Sequence, residues 1–133
     1  MENVGKNSWI QTLNLNSWEV TEYGGVYFTK DIFGCEIHGN FNCKENQLET
    51  LINNAKRVFN NFEELNKIAK ELIQKNYPDE NVDELKLDDI IFSQDCSFLM
   101  GYPTEETDAG HEYIYVKFQK DFTIDDDLIY EYY

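Results

Sequence analysis

ENQLETLINNAKRVFNNFEELNKIAKELIQKN, the run from Glu45 to Asn76, decides how the rest of this chain has to be arranged. Its residues Leu48, Leu51, Ile52, Ala55, Phe59, Phe62, Leu65, Ala69, Leu72 and Ile73 recur at spacings of three and four, which lines them along one side of a helix. The other side is Asn, Gln, Glu, Lys and Arg. A helix with a single apolar stripe is marginal in water until the stripe is covered, so the remaining residues must supply a surface for it. One straight helix of this length would run roughly 48 Å, too long for a domain of this size. The break is expected at Asn60-Asn61, with Asn61 capping a second helix and Glu64 reaching back to it. The spacing therefore predicts a pair, Glu45 to Phe59 and Phe62 to Asn76.

The flanking segments read as strands, which gives an α+β domain: an antiparallel sheet packed on a central helix pair. Trp9, Leu13 and Leu15 alternate with Ile10, Thr12 and Asn14, and Trp18 and Val20 continue the pattern towards a hairpin at Gly24-Gly25. Val26 to Thr29 is the expected return strand. After a break at Asp31 to Gly34, Cys35 and Ile37 face one way and Glu36 and His38 the other, with a turn expected at Gly39-Asn40. Three or four strands thus precede the helices, and three or four follow. Tyr77-Pro78 ends the second helix, Asn81 to Glu84 suggests a helical turn, and Asp89 to Ser93 and Ser97 to Tyr102 are strand candidates joined at Gln94-Asp95. Pro103 to Gly110 is expected to be an exposed loop. Tyr113, Tyr115 and Lys117 alternate with Ile114, Val116 and Phe118; Lys120-Asp121 turns into Phe122 to Ile124, and Leu128 to Tyr133 closes the chain.

With 133 residues the chain fits one domain that can bury its own core. An aromatic content of 15% argues against disorder despite the charge, because disordered acidic chains are poor in aromatics. Three cysteines cannot all pair within one chain, and the polar start Met1 to Asn7 does not resemble a signal peptide, so a cytoplasmic home is expected. The apolar runs fall well short of the roughly 20 residues a membrane helix needs. Residues 1 to 78 hold 8 Lys+Arg against 10 Asp+Glu, a net of −2, whereas residues 79 to 133 hold 3 against 16, a net of −13. A field of that sign repels phosphates and anionic lipid and attracts basic proteins, which argues against nucleic acid and membrane partners.

The sequence is poor in chemistry-bearing motifs. Cys35 and His38 are spaced like half a zinc site, with Cys43, Cys96 and His111 in reserve, but a structural zinc site shows two tight ligand pairs. Neither Asp125-Asp126-Asp127 nor Glu105-Glu106-Thr107-Asp108 has the spacing of a calcium loop. No metal and no cofactor is expected. Gly110-His111-Glu112 is not the H-E-x-x-H of metalloproteases, since position 115 is Tyr115; His111 beside Asp108 or Glu112 is the one catalytic candidate.

The order of Trp18 and its hairpin, Leu48 to Ile73 broken at Asn60-Asn61, the acidic Pro78 to Glu84 linker, Leu87 to Phe92, Ser97 to Leu99, and Gly110-His111 leading into Ile114 and Val116 resembles a bacterial domain of unknown function, the family numbered 2262. The resemblance runs from about Trp18 onward and implies a fold, with no catalytic residues to carry over. The chain departs from that pattern in its cysteines and in the Tyr-rich end Tyr130 to Tyr133. By size and charge alone the chain also looks like the immunity partners of bacterial toxins.

Three functional expectations follow from these residues. The first is a non-enzymatic protein-binding module docking a basic partner through Glu105, Glu106, Asp108, Asp125, Asp126 and Asp127, with Tyr102, Tyr113, Tyr115 and Tyr130 as aromatic anchors. The second is a small enzyme or ligand-binding domain with a pocket at His111. The third is a structural domain forming a homodimer through its Tyr-rich last strand.

Overall fold

The computed structural model describes residues 11–22, 25–32, 34–107 and 110–132; the side chains of residues 45, 105–107, 111 and 132 lie outside that description. The fold is α+β, a seven-stranded sheet with two helices on one of its faces. Strands β1 (Ser17–Val20), β2 (Val26–Ile32) and β3 (Cys35–Asn42) come first, then helices α1 (Leu48–Asn60) and α2 (Phe62–Asn76). Strands β4 (Asp89–Ser93), β5 (Phe98–Thr107), β6 (Gly110–Phe118) and β7 (Ile129–Tyr132) follow, and the spatial order is the sequence order, β1 to β7. Every pairing is antiparallel except β3 with β4. Parallel neighbours cannot be joined by a tight turn, and the helix pair is the crossover that links them.

The helices cover the sheet through aromatic packing. Register places Phe41, Phe92, Phe98 and Phe118 in one row across β3 to β6. Their ring centroids are 5.3, 6.1 and 5.0 Å apart in turn, and all four rings are buried. Phe59 of α1 stands edge-on to Phe92 at 6.1 Å and to Phe28 at 6.5 Å. From the helices, Leu48, Leu51, Ile52, Ala55, Val58, Phe62, Leu65, Ala69, Leu72 and Ile73 all enter this core, as the three-and-four spacing requires. The one buried polar side chain of α1, Asn54, is satisfied: its Nδ2 donates to the Cys96 carbonyl at 3.1 Å and its Oδ1 accepts from Arg57 at 2.9 Å. Arg57 also lies over the Phe122 ring, 4.4 Å from its centroid, and bonds the Lys120 carbonyl, which fixes the β6–β7 connection to α1.

Several local expectations are corrected. The helix pair breaks at Asn61, but the Asn61 amide donates back to the Arg57 carbonyl at 2.8 Å instead of capping α2, and residues 45–47 form a 3₁₀ turn ahead of α1. Residues 11–16 are a turn, not a strand, because Asn14 takes a φ of 52° that ends any extended run; Trp9 and Ile10 lie outside the described residues, as do Tyr23 and Gly24 of the first hairpin. The turn expected at Gly39-Asn40 is the middle of β3. A Cβ at Gly39 would sit 2.1 Å from Phe28 Cζ, so this glycine serves the close approach of a ring and not a change of direction. Pro103 to Thr107 is strand, with a register irregularity between Pro103 and Glu106, so the β5–β6 connection is shorter than the loop expected there.

No helix among the described residues is long and apolar enough to cross a membrane. Phe92→Ala should cost about 3–5 kcal/mol, since it empties the centre of the aromatic row under Phe59. Urea unfolding at neutral pH measures this; a loss below about 1 kcal/mol would show that the row is not the core's centre.

Candidate functional site

Alternation along the strands gives the sheet two different faces. Val26, Phe28, Ile37, Phe41, Ile90, Phe92, Met100, Tyr102, Ile114 and Val116 point to the helices. Their neighbours point away. In register, His38 of β3 stands opposite Asp89 of β4, Asp89 opposite Gly101 of β5, and Gly101 opposite Tyr115 of β6. Gly101 matters here because a Cβ would lie 2.4 Å from Tyr115 Cε1. Without one, the Tyr115 ring lies across β5 and its hydroxyl donates to Asp89 Oδ2 at 2.9 Å. Tyr113 stacks beside it, with centroids 6.1 Å apart and planes 21° from parallel, and donates to Asp88 Oδ2 at 2.6 Å. Two tyrosines of β6 therefore reach over β5 to two consecutive aspartates at the start of β4.

These groups line a shallow groove of about 590 Å³, together with Tyr27, Asn40 and Ile91. Tyr27 is 57% exposed, the most accessible of the large apolar side chains on this face. No Lys or Arg lines the groove; His38 is its basic group. Burial pushes the Asp89 carboxyl above its ordinary value, and the neighbouring Asp88 charge adds to the rise, while the Tyr115 hydroxyl and His38 oppose it. The arrangement holds two fixed carboxylates beside an imidazole and an exposed phenol ring. Such a set can accept hydrogen bonds from a cation or exchange a proton, and nothing in it is placed as an activated nucleophile.

The residues singled out from sequence are dispersed. Tyr102 is fully buried on the helix side, its hydroxyl donating to Asn66 Oδ1 at 2.5 Å, and burial raises its pKa; it is not a surface anchor. Tyr115 is only 1% exposed, so it builds the groove floor and cannot project to a partner. Tyr130 faces the helix side, edge-on to Tyr77 at 6.3 Å with their hydroxyls hydrogen-bonded, whereas Tyr113 lies on the opposite face. The four tyrosines cannot form one patch. Asp125 is half-buried and accepts from Gln119 at 2.8 Å, while Asp126 and Asp127 are exposed in the β6–β7 connection. Glu105, Glu106 and His111 occupy β5 and β6 positions, Glu106 opposite His111, with side chains outside the description; Asp108 lies outside the described residues altogether. Cys35 and His38 sit on opposite faces of β3, so a common metal cannot take both. Among the described residues no three His, Cys, Asp or Glu converge as metal ligands.

Sequence reasoning passed over Asp88, Asp89 and Tyr27. The usable signal was the glycine inside the Ser97 to Tyr102 run, since glycine within a strand often marks a close approach, together with the Tyr-x-Tyr of the next strand.

Two substitutions examine the geometry. Gly101→Ala should lower stability by about 1–3 kcal/mol by overpacking against Tyr115. For Asp89, a raised pKa means that the folded chain holds the proton more tightly than the unfolded chain, so the ionised carboxylate costs stability above that value. Asp89→Asn keeps an acceptor for Tyr115 and is expected to raise the urea midpoint at pH 7. The gain should shrink as pH falls through the raised pKa towards the ordinary 3.8, where the wild-type carboxyl is neutral. A midpoint lowered at pH 7 would show that the Asp89 charge is paired rather than desolvated.

Comparison with protein-family models, with curated proteins and with solved structures gives no match for this chain, so the reading of the site rests on its own geometry.

Proposed function

We propose that this chain is a non-enzymatic binding module of the cytoplasm that docks a basic protein. One observation carries the reading. Helices α1 and α2 contain 5 Lys+Arg and 4 Asp+Glu, a net of +1. Taking these from the chain's 11 and 26 leaves 6 against 22, so everything outside the helices carries −16. The helices themselves are therefore balanced, and the strands and connections hold the excess. A field of that sign attracts a positive surface and repels phosphate backbones.

The cytoplasmic setting rests on the cysteines, since Cys35, Cys43 and Cys96 are not joined by disulfides in the fold. Kinship with the family numbered 2262, and the immunity-like role that size and charge suggest, belong to the same proposal and assign no residue a role. The alternative, a small enzyme or ligand-binding domain at His111, rests on the sequence alone, since the His111 side chain lies outside the description.

The test is affinity capture from the source cell, identification of the bound protein, and measurement of its association with the purified chain. The expected partner is basic, and its association should slow roughly tenfold or more between about 50 and about 500 mM salt. A partner of acidic or neutral charge, or an association indifferent to salt, would overturn the reading.

A further inference from the structure

The basic-partner reading leaves open which surface does the docking, and the acidic connections past β6 are the obvious candidate from sequence. The two faces of the sheet point elsewhere. One face is covered by α1 and α2, and the other is not covered by any described element. Among the described side chains of that uncovered face, the strand positions carrying charge are Glu19, Asp31, Glu36, Asp89 and Glu131 against Lys117 and His38. Asp31 and Glu36 stand directly opposite each other across β2 and β3. Like charges in that position destabilise a strand pair, and a cation placed over them relieves the repulsion.

The same face is apolar enough to be more than a solvated coat. Tyr27 is 57% exposed, and Ile91, Leu99, Tyr113 and Ile129 are half-buried on the same side, beside the groove of about 590 Å³. Planar apolar walls with fixed carboxylates suit a guanidinium, which stacks on aromatic faces and forms paired hydrogen bonds to carboxylates. The Tyr113 and Tyr115 hydroxyls hold the Asp88 and Asp89 carboxyl groups in place before anything binds, which lowers the ordering cost of an incoming contact.

We infer that the uncovered sheet face is the docking surface, and that its groove seats an arginine side chain of a basic protein partner between Asp88 and Asp89 and the Tyr27 ring. This inference rests on the basic-partner reading and names its contact chemistry. An aspartate pair that is merely structural would bind a cationic peptide no better than any other acidic site on the chain.

The experiment uses the full chain, isotopically labelled, titrated with an octa-arginine peptide and separately with an octa-lysine peptide and followed by amide chemical shifts. Shifts should concentrate on Tyr27, His38, Asn40, Asp89 and Ile91, and the arginine peptide should bind more tightly than the lysine peptide. Asp89→Asn should weaken arginine-peptide binding about tenfold, the loss expected for one charge-assisted hydrogen bond, with Tyr27→Ala also weakening it. Glu49→Gln on α1 should leave it unchanged. If the shifts fall on residues 119–128 and spare the sheet, the surface assignment is wrong while the basic-partner reading stands. If neither peptide binds at low salt, both fail. Shifts on the sheet face that appear with chain concentration and no peptide would mean that a second copy occupies it, which also overturns the inference.

Discussion

The row of phenylalanines running from Phe41 to Phe118, closed from above by Phe59, is the contact on which the rest of the structure depends. It fixes which side of the sheet is inside. Because side chains alternate along every strand, a decision made by four rings in one row is inherited by the whole sheet, and a slip of one residue in any strand would invert it. The helix pair enters the chain between β3 and β4, the only place among the described residues where two neighbouring strands run parallel. A crossover of this length is needed there, and it has to lie against one face. Two helices then suffice to bury the row, and no described element covers the opposite face.

What that uncovered face holds follows from small residues as much as large ones. Gly39 and Gly101 are both strand interiors where a ring lies over bare backbone, Phe28 on the helix side and Tyr115 on the open side. The first tightens the core. The second lets a tyrosine lie flat and carry its hydroxyl to a strand two positions away, so the Asp89 carboxyl is held by a group that could not reach it past a Cβ. A buried carboxyl near a second acid costs stability when it is ionised.

Charge completes the division. Within the helices, lysines and glutamates nearly cancel, as on any solvated helical surface. Outside them the excess is carried by strand positions and by the connections.

The amino-acid sequence by itself determined the helix pair, its break near Asn61, the alternation of Tyr113 to Phe118 between two faces, and the acidity, because periodicity and charge are local properties that each residue carries with it. It misjudged Gly39 as a turn and Pro103 to Thr107 as a loop, since glycine and proline read as punctuation unless the ring or neighbouring strand that needs them is in view. The make-up of the uncovered face was decided only by tertiary structure. Asp88 and Asp89 were ordinary strand residues until the register of β4, β5 and β6 brought two tyrosines over them, and Tyr102 and Tyr115 were surface anchors until packing buried both. Register couples residues far apart in the chain through backbone hydrogen bonds, and no local pattern encodes which of two alternating faces a distant helix will cover.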